Sequence, residues 1–396
     1  MPDLLAHHDV AQAARALLPP GHLADLLAEA PDAYAVGAQG PDFFSYASLR
    51  PGGGVRSHPG RTVHRQHTRA ALTTMLATAA AAPPGDRAGL YAYISGYATH
   101  VCLDAGAHPW IVYWTGGAPK GIDSPDALRA TRRHGVLEAS LDVMLAARRR
   151  PPGVSCGRSR RLLSLTPRRR RAVARLWAVV LQDVYGIPWT ARQTEAALHV
   201  MALVYAQLTD RLSPLALALQ AGGAALDPDG VWRSQIYPSA PHPAAVRLVA
   251  ERREWRSPWR PSEARHETFA ELCGRAVGES LACLETIARA ASGDLSAHDA
   301  AVDAALAVLD TIETEGLLAH VVALGDRWAA SFDAVDHPLL ASHRGVGLWR
   351  ALELAEPVAG AFEAAAREAG FLVNAVRPTT IRLAPPLILT DEQADS

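Results

Sequence analysis

The side chains best placed for chemistry lie in Tyr97-Ala-Thr-His100-Val-Cys-Leu-Asp104-Ala-Gly-Ala-His108-Pro109-Trp110. His100, Asp104 and His108 recur every fourth residue, which on a helix stacks all three on one face, about 6 Å apart per step. The rest of the stretch is apolar, so that face is expected to point inward. Buried imidazoles and carboxylates are costly unless paired or metal-bound. Gly106 and Pro109 predict that the helix ends there, with His108 at its terminus. A second segment, His134-Gly-Val-Leu-Glu138-Ala-Ser-Leu-Asp142, repeats the step of four. Imidazole nitrogen with carboxylate oxygen one turn away suits one divalent ion gripped from one helix face. Asp142 is a candidate to orient an imidazole from behind. A single such pair also serves as a surface ion pair or a satisfied core histidine; it is the recurrence within forty residues that points to metal.

The elements that must position these groups are mostly helical. Apolar positions at helical spacing predict helices over 9–17, 61–80, 88–105, 131–149, 167–184, 190–210 and 264–292. Proline- and glycine-rich pieces at 50–60, 116–125, 150–157 and 221–262 read as loops. The end of the chain differs. Residues 299–333 read as one or two helices, followed by β-like runs at HRGVGLWRALEL, a helix at 357–369, and β-like runs FLVNAV and TTIRLAP. The fold class expected is mainly α over 1–292, followed by a small α+β domain over 299–396.

Charge follows the same division. Residues 294–396 hold 16 Asp and Glu against 6 Arg, whereas the remainder carries a net charge of +9. With 396 residues, 49% of them hydrophobic, the chain can bury a sizeable core, and collagen-like, coiled-coil and disordered classes are excluded. No apolar run reaches the ~18 residues of a membrane span. The start, MPDLLAHHDV, shows no secretory leader, so a cytoplasmic location is expected. Four cysteines without a CxxC pair imply neither a disulfide framework nor a cysteine metal site. Of 39 basic residues only Lys120 is a lysine. The arginine-rich stretch 148–175 is read first as a solvated loop and helix face, and second as an attraction for an anionic membrane surface. No specific nucleic-acid partner is expected, because no aromatics interleave the arginines.

Further pieces extend the histidine pattern: MPDLLAHH, Gly37-Ala-Gln-Gly-Pro-Asp42-Phe-Phe, Val63-His64, and Trp255-Arg-Ser-Pro258 followed by ETFAEL. Over residues 1–292 these resemble the bacterial zinc-dependent phospholipase C family, whose fold is shared with the S1/P1-type nucleases. The resemblance implies that His7, Asp42, His64, His100, Asp104, His108, His134 and Glu138 hold two or three Zn2+ ions. His7 is preferred to His8 by its distance from the start. A metal-activated hydroxide would attack a phospholipid phosphate, with Asp42 as the residue orienting or deprotonating the water. Phe43 would be one aromatic of a headgroup cage.

A second set of pieces lies at the other end: Ala304-Ala-Leu-Ala-Val-Leu-Asp310-Thr-Ile-Glu313, Gly316-Leu-Leu-Ala, Arg344-Gly-Val-Gly-Leu348, Gly370-Phe-Leu-Val-Asn374 and Ile381-Arg382-Leu-Ala-Pro385-Pro386-Leu387. Residues 299–394 resemble the small C-terminal domain of class III pyridoxal-phosphate (PLP) aminotransferases of the acetylornithine/ornithine type. By that resemblance Arg382 meets the substrate α-carboxylate. Schiff-base chemistry needs a lysine, and no counterpart of the family's large domain is seen. The expectation is therefore a gene fusion whose tail is inactive, with PLP not a cofactor. The leading expectation is a zinc-dependent phosphodiesterase acting on a phospholipid or small-molecule substrate. The alternatives are a class III aminotransferase by its tail, an S1/P1-like nuclease and a non-catalytic zinc-stabilised module. The oligomeric state is left open.

Overall fold

The computed structural model describes residues 4–49, 59–64, 66–116, 125–148, 156–258, 260–293, 317–346, 348–369, 371 and 373–383. It divides into two compact units, Met1–His298 and Asp299–Ser396. The first unit is built of α1 (Leu4–Leu17), α2 (His22–Glu29), α3 (Pro31–Gly37), a 3-10 helix (Asp42–Leu49), α4 (Gly60–Val63), α5 (Thr68–Ala81), α6 (Pro84–Thr115) and α7 (Pro125–Ala147). These are followed by α8 (Cys156–Leu162), α9 (Pro167–Tyr185), α10 (Ala191–Leu208), α11 (Pro214–Leu226), α12 (Val231–Ser234), α13 (Pro243–Ala250), the antiparallel pair β1 (Trp255–Ser257) and β2 (Arg260–Arg265), and α14 (Phe269–Ala291).

Local chemistry explains the boundaries. Pro84, Pro167, Pro214 and Pro243 open helices, where the missing N–H has no partner to lose. Gly116 and Gly186 close α6 and α9 in the left-handed conformation. Thr268 and Glu271 form a capping box at the start of α14. Helix α6 is longer than the sequence pattern predicts and runs straight through Pro109. The carbonyl that Pro109 leaves without a donor belongs to Ala105, which is exposed, so water takes it. Residues 61–80 form two helices, because His67 adopts a left-handed backbone with φ 56° between α4 and α5. The stretch 221–262 is not one loop: it contains α12, α13 and the β1–β2 pair.

Helix α6 is the axis of the unit, with α3, α9 and α14 against it. Its contact with α3 is unusually close. A Cβ on Gly37 would fall 2.1 Å from the Tyr93 carbonyl oxygen, and one on Gly96 2.2 Å from the Tyr34 carbonyl oxygen. The core around it buries Tyr34, Tyr93, Tyr97 and Trp177, the last donating to the Tyr93 hydroxyl at 2.7 Å. Arginines of 148–175 are used internally. Arg168 and Arg175 both hold Asp86, and Arg169 holds Asp32 and the Glu29 carbonyl.

The second unit contains α15 (Leu317–Asp333), β3 (Leu340–Val346), β4 (Trp349–Leu354), α16 (Ala359–Glu368), β5 (Asn374–Arg377) and β6 (Thr380–Leu383). The strands form an antiparallel sheet in the order β3-β4-β6-β5. The row His343–Leu352–Ile381–Ala375 lies on the covered face, where Leu352 and Ile381 pack with Phe332 and Phe362. The neighbouring row, Arg344–Ala351–Arg382–Asn374, lies on the opposite face by the two-residue pleat. No described helix of the chain is long and apolar enough to cross a membrane.

Candidate functional site

Among the described residues, three side-chain groups whose ligand atoms could share a metal ion lie in the first unit: His7, His100 and Asp104; Asp42, His64 and His100; and His108, His134 and Glu138. All eight residues that the phospholipase C resemblance implied as ligands are among them. Helix α6 supplies His100, Asp104 and His108, and because it does not end at Pro109 all three stand on one continuous helix. His100 Nε2 lies 3.3 Å from Asp104 Oδ2, and His7 Nε2 3.6 Å from Asp104 Oδ1. The rings of His7 and His100 stack with centroids 4.3 Å apart. On the next helix His134 Nε2 meets Glu138 Oε1 at 2.8 Å, and the His108 and His134 rings are 5.2 Å apart. It is His7 and not the less buried His8 that joins the group.

Two devices hold the remote ligands in place, and neither is visible as a motif. Asp142, on α7, accepts from the backbone N–H of Leu5 at 2.6 Å and of Ala6 at 3.0 Å, and from the Tyr237 hydroxyl at 2.5 Å. Those amides are among the first of α1, which have no partner within their own helix. The carboxylate thus caps α1 from a distance and sets His7, the residue that follows Ala6. Gly40, with φ 55°, brings the turn before the 3-10 helix against the His100 ring, where a Cβ would lie 2.2 Å from Cδ2. This turn delivers Asp42, which accepts from His64 Nε2 at 2.9 Å, while His64 Nδ1 donates to the Gly60 carbonyl at 2.7 Å.

The electrostatics of His7, His108, His134 and Asp104 suit cation binding. Burial holds His7 down to about 3 and His108 down to about 4, and holds His134 well below its usual range. Neutral imidazoles offer lone pairs. Burial also pushes Glu138 up to about 7. Asp104 is pushed up by burial, but the neighbouring His100, His108 and His7 outweigh this and keep it well below the carboxylate range. Burial opposes charge on His64 too, yet its bond to Asp42 raises it to about 9. Both ring nitrogens of His7 and of His100, and Asp104 Oδ1, are buried without a hydrogen-bond partner. Such groups are expensive to leave unsatisfied. A cation between them would take one nitrogen of each ring together with an Asp104 oxygen.

Phe43 does not line an open cage. It is 1% exposed, with its ring 4.1 Å from Phe44 and 5.8 Å from Trp177, so it belongs to the core. In the second unit, Arg382 is exposed on β6 between Ala351 and Asn374, and it makes no ion pair among the described residues. Its neighbour in the row, Arg344, is held by Glu353.

Comparison with known proteins bears on the other end of the chain. The model of the class III aminotransferases matches residues 275–396. That segment is similar to the class III aminotransferases. The acetylornithine aminotransferase of Mycobacterium leprae is 50% identical over 93 residues, covering 24% of this chain and 23% of the relative. That of Mycolicibacterium smegmatis is 46% identical over 93 residues, 24% of each chain. That of Bifidobacterium longum is 40% identical over 120 residues, 30% of this chain and 28% of the relative. The chain therefore spans about a quarter of the length of these relatives. The family match starts inside α14, ahead of residue 299.

These matches correct the functional expectation. A zinc-dependent phosphodiesterase of phospholipase C type, hydrolase chemistry and zinc as the cofactor are overturned by a family match that falls on the class III aminotransferases. The expectation that PLP plays no part falls with them, since class III aminotransferases use it. The physical reason is that period-four histidines and carboxylates establish a capacity to bind a cation, and that capacity specifies no reaction.

Proposed function

We propose that residues 275–396 serve PLP-dependent transamination of an acetylornithine-type amino acid, with Arg382 receiving the substrate carboxylate. The observation that carries this reading is the 40–50% identity of the segment to acetylornithine aminotransferases. Backbone pairing on both sides fixes Arg382 in the middle of a sheet, and its exposed guanidinium offers the planar fork that matches a carboxylate. The cofactor needs a lysine amine. Residues 275–396 contain none, and Lys120, the single lysine of the chain, lies outside the described residues. The segment by itself does not fit the cofactor, and no step through it is derived. The amine must come from outside the segment, and Lys120 is the lysine that this sequence offers. Borohydride reduction of the protein with PLP, followed by peptide mapping, tests this directly. The expected result is a reduced Lys120 adduct, with Arg382→Ala weakening acetylornithine binding about 10- to 100-fold. Absence of the adduct, or unchanged binding in the variant, overturns the reading.

A second reading concerns the first unit. His7, Asp42, His64, His100, Asp104, His108, His134 and Glu138 bind divalent cations, and no reaction is assigned to them. The supporting observation is the buried, unpartnered nitrogens of His7 and His100 facing Asp104. His100 belongs to two of the three groups. Titration of the purified chain with Co2+, read by its visible absorbance, should show binding that His100→Ala largely removes. Equal binding by that variant would refute the assignment.

A further inference from the structure

We propose that Cys102 and Cys283 form an oxidisable dithiol, a redox-modification site that a hydroperoxide converts to a disulfide joining α6 to α14. The two sulfurs lie 3.8 Å apart although 181 residues separate them in sequence. Their approach is set by two long helices, not by loops. Gly106, one turn beyond Cys102, faces the Leu272 carbonyl and the Arg275 side chain, and the Tyr91 hydroxyl reaches the Ala290 carbonyl at 3.5 Å. Residues 91, 102 and 106 of α6 thus meet 290, 283 and 272–275 of α14 in antiparallel order, and the sulfurs face each other in the middle of that seam. A disulfide needs the sulfurs at about 2.05 Å, an approach of less than 2 Å that side-chain rotation and a small helix shift can supply.

Accessibility divides the roles. Cys283 is partly exposed, whereas Cys102 is buried. Cys283 is therefore the sulfur that meets the oxidant. Its thiolate attacks the hydroperoxide oxygen, the O–O bond breaks, and a sulfenic acid forms with release of an alcohol or water. Cys102 sulfur then attacks Cys283 sulfur, the S–OH bond breaks, and hydroxide leaves as water with the Cys102 proton. Two thiols lose two electrons and the O–O bond receives them. Cys102 sits two residues from both His100 and Asp104, so it projects from the back of the helix face that carries them. Bond formation would clamp that helix from behind.

The test is hydrogen peroxide treatment of the full-length protein, alkylation in denaturant, and non-reducing peptide mapping. The expected product is a dithiothreitol-reversible Cys102–Cys283 peptide pair in most chains, absent in Cys283→Ser and retained in Cys273→Ser. Cys102→Ser should instead accumulate a Cys283 sulfenic acid trapped by dimedone. Cys283 found as sulfinic or sulfonic acid with Cys102 still alkylated would overturn the proposal. So would cross-links to Cys156 or Cys273 in its place, or both thiols left unmodified.

Discussion

The crossing of α3 and α6 offers the sharpest test of the packing that positions the cluster. In Gly96→Ala the new Cβ would stand 2.2 Å from the Tyr34 carbonyl oxygen, 2.7 Å from the Ala38 nitrogen and 2.9 Å from the Gly37 carbonyl carbon. All three are backbone atoms of α3 or its cap, so no side-chain rotation relieves the contact. Restoring an ordinary separation of about 3.4 Å requires the helices to part by more than ~1 Å, which opens the seam along Tyr34, Tyr93 and Tyr97. Overpacking of this kind costs ~3 kcal/mol, and removing a glycine from a helix interior returns ~1 kcal/mol. The net loss is about 2 kcal/mol. Urea unfolding followed by tryptophan fluorescence, with Trp177 bonded to Tyr93 as the reporter, should show the midpoint falling by roughly 0.7 M for a slope near 3 kcal/mol/M. Gly274→Ala, on α14, is the matched control. Its Cβ meets nothing within 4 Å, so the same substitution there should stabilise by ~1 kcal/mol. A Gly96→Ala midpoint equal to or above that of the parent would refute the reasoning.

Other outcomes follow from the same geometry. Gly40→Ala combines a left-handed backbone with a Cβ against His100, and should weaken Co2+ binding by at least about tenfold, while Gly21→Ala, which meets nothing, leaves it unchanged; calorimetric titration decides. Asp142→Ala strands the buried Leu5 and Ala6 amides and should cost ~2–4 kcal/mol in urea unfolding; a loss below ~1 kcal/mol would show that α1 holds without it. Glu267 is pushed up by partial burial, but its bonds to Arg265 outweigh this and bring it from 4.5 to about 2. A carboxylate lowered on folding adds stability above pH 4.5 that disappears as pH falls toward 2, so Glu267→Gln should flatten the stability profile over that window. A parallel shift of the whole profile would deny Glu267 that role.

What the residues determine by themselves is local. A period of 3.6 residues places His100 with Asp104, and His134 with Glu138, on common helix faces, because bonding within one turn is independent of the rest of the fold. Prolines and glycines mark helix starts and stops for the same reason, and the ordered motifs from Arg344 to Arg382 carry a likeness that alignment recovers. The extent of α6 was not legible, because Pro109 is tolerated only where Ala105 faces water, and exposure is a property of the folded unit. Nor was the burial of Phe43, which packs against Phe44 and Trp177. Tertiary structure alone decided that His7, Asp42 and His64 converge on α6, that Asp142 holds the Ala6 amide 136 residues earlier, and that Cys102 meets Cys283. Such contacts are set by how helix faces pack across large sequence separations, and no spacing within a single segment encodes them.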